Sequence, residues 1–214
     1  MQPLTVGTAS DSSDADQRVI LHGISWDAYE ALLLALGDTP GIRVSYLDGE
    51  MQLVGPSKTH EKLKKRWGAL IEVFVEETGG VVDGYGSMTL KKERKLAGAE
   101  ADECYAVGGE KEWPDLALEV VWTSGGVDKL EIYRRLGVRE VWFWIEGVIT
   151  VHVLGPSGFR ASKTSKLLPG IDLGHLARFL QRSGPQTELV RAYRAELAAG
   201  RGKTKPRRRA KATH

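Results

Sequence analysis

With a single cysteine, Cys104, in 214 residues, this chain has no internal disulfide and lacks the thiols for a cysteine-based zinc cluster. That usage fits a reducing compartment. No stretch approaches the roughly 20 apolar residues of a membrane span. The opening residues, Ser-rich with Asp11, Asp14 and Asp16, hold no apolar signal-peptide core. A cytoplasmic location without membrane contact is therefore expected. G-x-S-x-G, H-E-x-x-H, P-loop and G-x-G-x-x-G motifs are missing too, which removes the serine-hydrolase elbow, the zincin helix and the common nucleotide cradles. Aromatic residues are sparse at 7%, and Trp142 and Trp144 alternate with Phe143 in a strand pattern. Core packing, rather than base stacking, is expected of at least one face of that strand.

What is present supports one globular body between two polar ends. A hydrophobic content of 42% over this length suffices for a sizeable core. Residues 1–18 read as a disordered leader, 19–200 as the folded domain and 201–214 as a disordered basic tail. The tail carries Arg201, Lys203, Lys205, Arg207, Arg208, Arg209 and Lys211 and no acid. Removing those seven charges from the formal net charge of +2 leaves residues 1–200 at about −5. Such a tail is too polar to pack; it suits a salt-sensitive, sequence-independent grip on phosphates, with Arg207, Arg208 and Arg209 as its densest cluster, or simply a solubilising terminus.

Periodicity and punctuation give the order of elements. Ser25 caps a helix over Trp26 to Leu36 with Gly37 as its stop, and IRVSYLDGEMQLV alternates as a hairpin turning at Asp48 and Gly49. From Ser57 or Thr59 a longer helix carries the stripe Leu63, Trp67, Leu70, Ile71, Phe74 and Val75, ending near Gly79 and Gly80. Strands are expected over Val81 to Tyr85, Met88 to Lys91, Ala99 to Val107 and Asp115 to Trp122. A helix through Leu130, Tyr133, Arg134 and Leu136 follows, stopped by Gly137. Glu140 to Ile145 and Val148 to Leu154 form a second hairpin, with a strand near Phe159 to Thr164. Helices at Leu173 to Gln181 and Thr187 to Ala198 close the body. The fold class is α/β, an α+β mixed sheet flanked by helices.

Chemistry concentrates between Pro114 and Trp144. Glu119 sits inside the apolar run Leu116, Ala117, Leu118, Val120, Val121, where an unpaired charge costs several kcal/mol or takes up a proton. Lys129, ten residues on, can compensate it, and Asp102, which ends a polar strand upstream, is a second acid that can share its site. Two carboxylates about 4 Å apart repel by about 4 kcal/mol at an effective dielectric of about 20, so a shared site needs a cation or a proton. Oxygen ligands suit Mg²⁺ or Mn²⁺, whose bound waters serve as nucleophiles. Asp115 follows Pro114 but lies about 13 Å along the strand from Glu119, too far to share a metal, and reads as a strand-start turn residue. Arg134, Arg135 and Arg139 read as surface charges.

The segments YLDGEMQLVGPSKTH, EADECYAV, LALEVVW and KLEIYRRLGVREVWFW together resemble the Uma-two family of restriction endonucleases, of the PD-(D/E)XK nuclease superfamily, over roughly residues 20–180. The resemblance implies a restriction-endonuclease-like core in which Asp102 and Glu119 hold Mg²⁺ or Mn²⁺ against a scissile phosphate. Where the pattern has E-x-K this chain reads Glu119, Val120, Val121, and Ala101 replaces the proline before Asp102. Lys129 is the natural substitute for the absent lysine. Glu50 matches a D-G-E element and His60 falls at a polar site position, giving Asp102, Glu119, Lys129, Glu50 and His60 as the catalytic candidates.

The implied activity is metal-dependent endonucleolytic hydrolysis of nucleic acid, DNA before RNA, with a homodimer favoured if both strands of a duplex are cut. Two other readings stand beside it. One is a non-catalytic nucleic-acid binder anchored by its tail; the other is a partner-binding module in which Glu119 and Lys129 form a structural ion pair.

Overall fold

The computed structural model describes residues 15–37, 41–121 and 126–204. Its first element lies partly in the segment read as leader: β1 (Gln17–Leu21) pairs antiparallel with β3 (Glu50–Gly55), Gln17 opposite Gly55 and Leu21 opposite Met51. Between them come α1 (Trp26–Leu36) and β2 (Arg43–Leu47). Ser25 caps α1 by accepting a 3.2 Å bond from the Ala28 N–H. Asp48 and Gly49, both at positive φ, make the tight turn that joins β2 to β3. Then α2 (Lys58–Thr78) starts on Ser57, whose Oγ accepts from the His60 N–H at 3.1 Å, and ends on left-handed Gly79.

Two sheets, rather than one, organise the chain. The first runs β1-β3-β2-β6-β5, with β5 (Thr89–Lys92) and β6 (Ala97–Glu100), and every neighbour is antiparallel. Its Val44, Tyr46 and Met51 pack on Trp26 and Tyr29 of α1. Gly98 on β6 is required there, because a Cβ would strike the Tyr29 ring and hydroxyl. The second sheet runs β11-β10-β9-β8-β7-β4. Its strands are β4 (Val82–Gly86), β7 (Glu103–Val107), β8 (Leu116–Val121), β9 (Glu140–Ile145), β10 (Val148–Gly155) and β11 (Gly158–Ser162).

The expected strand Ala99 to Val107 is therefore broken. The chain leaves the first sheet after Glu100, turns through Ala101 and Asp102, and enters the second as β7. Both turn residues are buried, so Asp102 sits at the junction of the sheets. The parallel pair β8 and β9 is joined through α3 (Lys129–Leu136), capped by Asp128 and stopped by left-handed Gly137.

A parallel pair buried on both faces needs an almost continuous apolar run, and alternation sorts it. Leu116, Leu118 and Val120, with Trp142 and Trp144, pack on α2, where Leu63, Trp67, Leu70, Ile71, Phe74 and Val75 are all buried, and on α4 (Leu173–Gln181). Ala117, Val141 and Phe143 face Ile132, Tyr133 and Leu136 of α3. Glu119 shares that second face, which is why α3 supplies its partners. The last helix, α5 (Gln186–Thr204), runs into the segment read as tail. Arg207, Arg208 and Arg209 lie outside the described residues. Among the described residues no helix is long and apolar enough to cross a membrane.

Candidate active site

The polar side of the first sheet and the α3 side of the second enclose a cleft of about 410 Å³. Arg18, Arg43, Gln52 and Val54 form one wall; Glu119, Val121, Lys129 and Phe143 are on the other, with Asp16, His60 and Asp102 between. A larger groove of about 900 Å³ between α1 and α2 meets it at Arg43, but the charges there are spent on one another: Lys91 on Glu30, Lys64 on Glu61, and Arg43 on Glu61 and Glu100. The smaller cleft holds the reactive groups.

Asp102 is fixed by its Oδ2, which accepts the Val120 N–H at 2.8 Å. His60 Nε2 approaches Oδ1 at 3.0 Å and Arg43 Nε at 3.7 Å, both as ion-pair contacts outside hydrogen-bond alignment. On the next strand Glu119 is buried, and its Oε1 accepts from Lys129 Nζ at 3.0 Å and from the Tyr133 hydroxyl. Lys129 and Tyr133 lie one helical turn apart on α3 and so reach the same oxygen.

The two carboxyls are displaced in opposite directions. Burial works against the Asp102 charge, but the His60 imidazolium beside it, the Lys129 ammonium and the Val120 N–H hold the carboxyl below its usual range. Burial pushes Glu119 up; Lys129 opposes this, and the Asp102 charge adds to it. Divergent carboxyls in one cleft are a mark of functional sites. His60 pairs on its other nitrogen with Asp16, Nδ1 to Oδ2 at 2.7 Å. Burial opposes its charge, yet the flanking carboxylates of Asp102 and Asp16 raise it to about 9.

The sign of the resulting pH dependence follows. A raised folded pKa contributes stability that is complete below the unfolded value of 6.5 and is lost as the pH rises through about 9. Urea midpoints measured in EDTA should fall across that window by the equivalent of up to about 3 kcal/mol. His60→Gln should lack this fall; a fall of equal size in the variant would place the titration elsewhere.

Of the sequence candidates, Asp102, Glu119, Lys129 and His60 come together. Glu50 does not: it starts β3 with its side chain 51% exposed and pairs with His22 at 3.1 Å, away from the cleft walls. Asp115 accepts from the Val107 N–H at 2.8 Å and Lys111 Nζ at 2.6 Å, tying β7 to the start of β8. Arg134 pairs with Glu131, Arg135 with Asp48 and Arg139 with Asp115. Asp16, Arg43 and Tyr133 were missed as site residues. Tyr133 alone had a signal, its one-turn spacing from Lys129.

A divalent cation would need two oxygens from this set. Asp102 Oδ2 and Glu119 Oε1 are engaged; Asp102 Oδ1 faces His60 Nε2 and Arg43 Nε without hydrogen-bond alignment, and no donor to Glu119 Oε2 is found among the described residues. Among those residues no three His, Cys, Asp or Glu side chains surround one point. A donor set of carboxylate oxygens suits a hard cation that keeps most of its waters better than a zinc centre. Comparison with protein families matches residues 26–180 to the Uma2 model, described as "Putative restriction endonuclease". No curated protein matches the chain.

Proposed function

The chain belongs to the Uma2 family, and on that premise we propose that it is a metal-dependent endonuclease acting on the phosphodiester backbone of DNA through the cleft around Asp102 and Glu119. The observation that carries this reading is the pair of buried, oppositely displaced carboxyls opening on a cleft beside an ammonium group. Asp102 and Glu119 would hold the cation, which when bound supplies a polarised phosphate and an activated water. The chain's own residues do the rest. The Val120 N–H and His60 orient Asp102; Tyr133 and Lys129 fix Glu119. Lys129, 17% exposed at the cleft wall, is placed to offset charge on the phosphate as the bond to its leaving oxygen breaks. The imidazolium of His60 is a proton source in the same cleft.

The test is cleavage of labelled single- and double-stranded DNA and RNA with Mg²⁺, Mn²⁺ or EDTA. Metal-dependent cleavage of DNA, lost in Asp102→Ala, is the expected result; metal-independent cleavage would sink the reading. Lys129→Ala should lower kcat roughly 10² to 10³-fold. Its Mn²⁺ binding at pH 8 should be undiminished, because an ammonium that competes with the cation has been removed. Weakened Mn²⁺ binding would instead make Lys129 a structural partner of Glu119.

A second reading has one observation in its favour: Val121 stands where the superfamily has its lysine. On that reading the protein binds nucleic acid without cutting it, anchored by the tail. Deleting residues 201–214 would then abolish most binding and flatten its salt dependence, whereas a nuclease keeps metal-dependent turnover.

A further inference from the structure

We propose that Asp16 is a positioning residue of this cleft, acting through His60 on Asp102, so that the segment ahead of the family-matched region completes the site. The inference rests on the nuclease reading above and adds to it a residue that the matched region, which begins at residue 26, does not contain.

The contacts form a closed ring. Asp16 Oδ1 accepts the Ser57 N–H at 2.8 Å, Ser57 Oγ accepts the His60 N–H at 3.1 Å, and Asp16 Oδ2 pairs with His60 Nδ1 at 2.7 Å. The Asp16 side chain is only 8% exposed, and that of His60 3%. This ring ties the first turn of α2 to the chain just before β1, and β1 is held in turn by five register pairs to β3. Its effect is directional. With Nδ1 committed to Asp16, the ring can turn only its Nε2 edge toward Asp102 Oδ1, the oxygen without an aligned donor. Without Asp16 the imidazole has no fixed orientation, and a neutral ring could set a lone pair against the Asp102 carboxylate.

Asparagine at position 16 distinguishes this role from mere packing. Its shape is nearly that of aspartate, but one amide oxygen cannot serve two donors that now use separate oxygens, so either Ser57 or His60 meets an NH₂ group. Glutamate keeps both oxygens on a longer stem and should restore part of the function. Partners that orient metal-binding carboxylates typically change metal affinity or activity by 10 to 100-fold. Asp16→Asn should accordingly weaken Mn²⁺ binding about tenfold and lower kcat roughly 10 to 100-fold, with the KM for nucleic acid unchanged.

The deciding experiment is a double-mutant cycle in the full-length protein. Mn²⁺ affinity is measured by titration calorimetry, together with kcat and urea midpoints, for wild type, Asp16→Asn, His60→Ala, the double variant and Asp102→Ala. If Asp16 acts through His60, Asp16→Asn costs nothing further once His60 is alanine. An equal loss in both backgrounds would show that Asp16 acts on the fold through Ser57, and would overturn the proposal. Unchanged Mn²⁺ affinity in Asp16→Asn, with binding abolished in Asp102→Ala, would overturn it while leaving the nuclease reading intact. Wild-type Mn²⁺ affinity in Asp102→Ala would remove the metal reading itself.

Discussion

Glu119→Gln should fold as the parent does and lose Mg²⁺-dependent cleavage by roughly 10² to 10³-fold. The amide keeps the shape and one acceptor oxygen, which can still take the Tyr133 hydroxyl and the Lys129 ammonium. What disappears is the anionic oxygen that a cation needs. Stability should change little, within about 1–2 kcal/mol, because burial already works against the Glu119 charge and a neutral isostere of a buried carboxylate escapes that cost. Lys129, partly exposed, can turn its ammonium to water. The measurements are turnover of labelled duplex DNA, Mn²⁺ titration and urea denaturation on one preparation. Full cleavage by Glu119→Gln would remove this residue from the mechanism, and loss of the folded state would make its role structural.

Glu119 was also the most legible residue of the site, and the reason is physical. A carboxylate at the centre of an apolar strand is costly wherever the strand is buried, so its exception to the pattern already implied a partner. Lys129 was read as that partner; Tyr133, one turn on in the same helix, was not. Helix ends were equally legible where capping chemistry is local: Ser25 and Ser57 begin helices, and Gly37, Gly79 and Gly137 end them. The break at Asp102 was not. Ala99 to Val107 was expected as one strand; its alternation lapses at the consecutive acids Asp102 and Glu103, but such a lapse does not tell that Glu100 ends in one sheet while Glu103 begins in another. That change of sheet is a tertiary decision, and it is what carries Asp102 beside β8.

Asp16 and Glu50 show two ways in which a side chain's placement escapes the sequence. Asp16 stands in a polar opening segment and meets His60 44 residues later, a pairing that no local pattern encodes. β1 is a short edge strand whose alternation is weakly apolar, so its first two residues, Gln17 and Arg18, read as leader. Glu50 was selected by resemblance at a hairpin turn. In the fold, the turn points its side chain to solvent and to His22, while Gln52, two residues on, reaches the cleft and accepts the Val127 N–H at 3.1 Å. That bond anchors the approach to α3. It also explains Gly126, where a side chain would collide with the Gln52 amide.

Glu140→Ala is expected to be strongly destabilising, at about 3–5 kcal/mol, through the buried donors it leaves unpaired. Glu140 is 1% exposed, and among the described residues its side-chain partners are uncharged groups. Its carboxyl is held by four neutral donors. Oε2 accepts from Trp142 Nε1 at 3.0 Å and Ser165 Oγ at 2.7 Å, and Oε1 from the Lys166 and Leu167 N–H groups at 2.6 and 3.0 Å. Alanine would strand the buried Trp142 and Ser165 donors in the core face that also holds Leu168, while the Lys166 and Leu167 N–H groups lie nearer to water. Glutamine should fall between, at about 2 kcal/mol, since its NH₂ must oppose a donor. Urea midpoints should therefore rank wild type, then Gln, then Ala. Because Glu140 touches no residue of the cleft, kcat of the folded fraction should be unchanged in both variants. A midpoint in Glu140→Ala equal to the parent's would mean that water replaces the carboxylate without loss, and a drop in kcat at full folding would tie this end of β9 to the chemistry on β8.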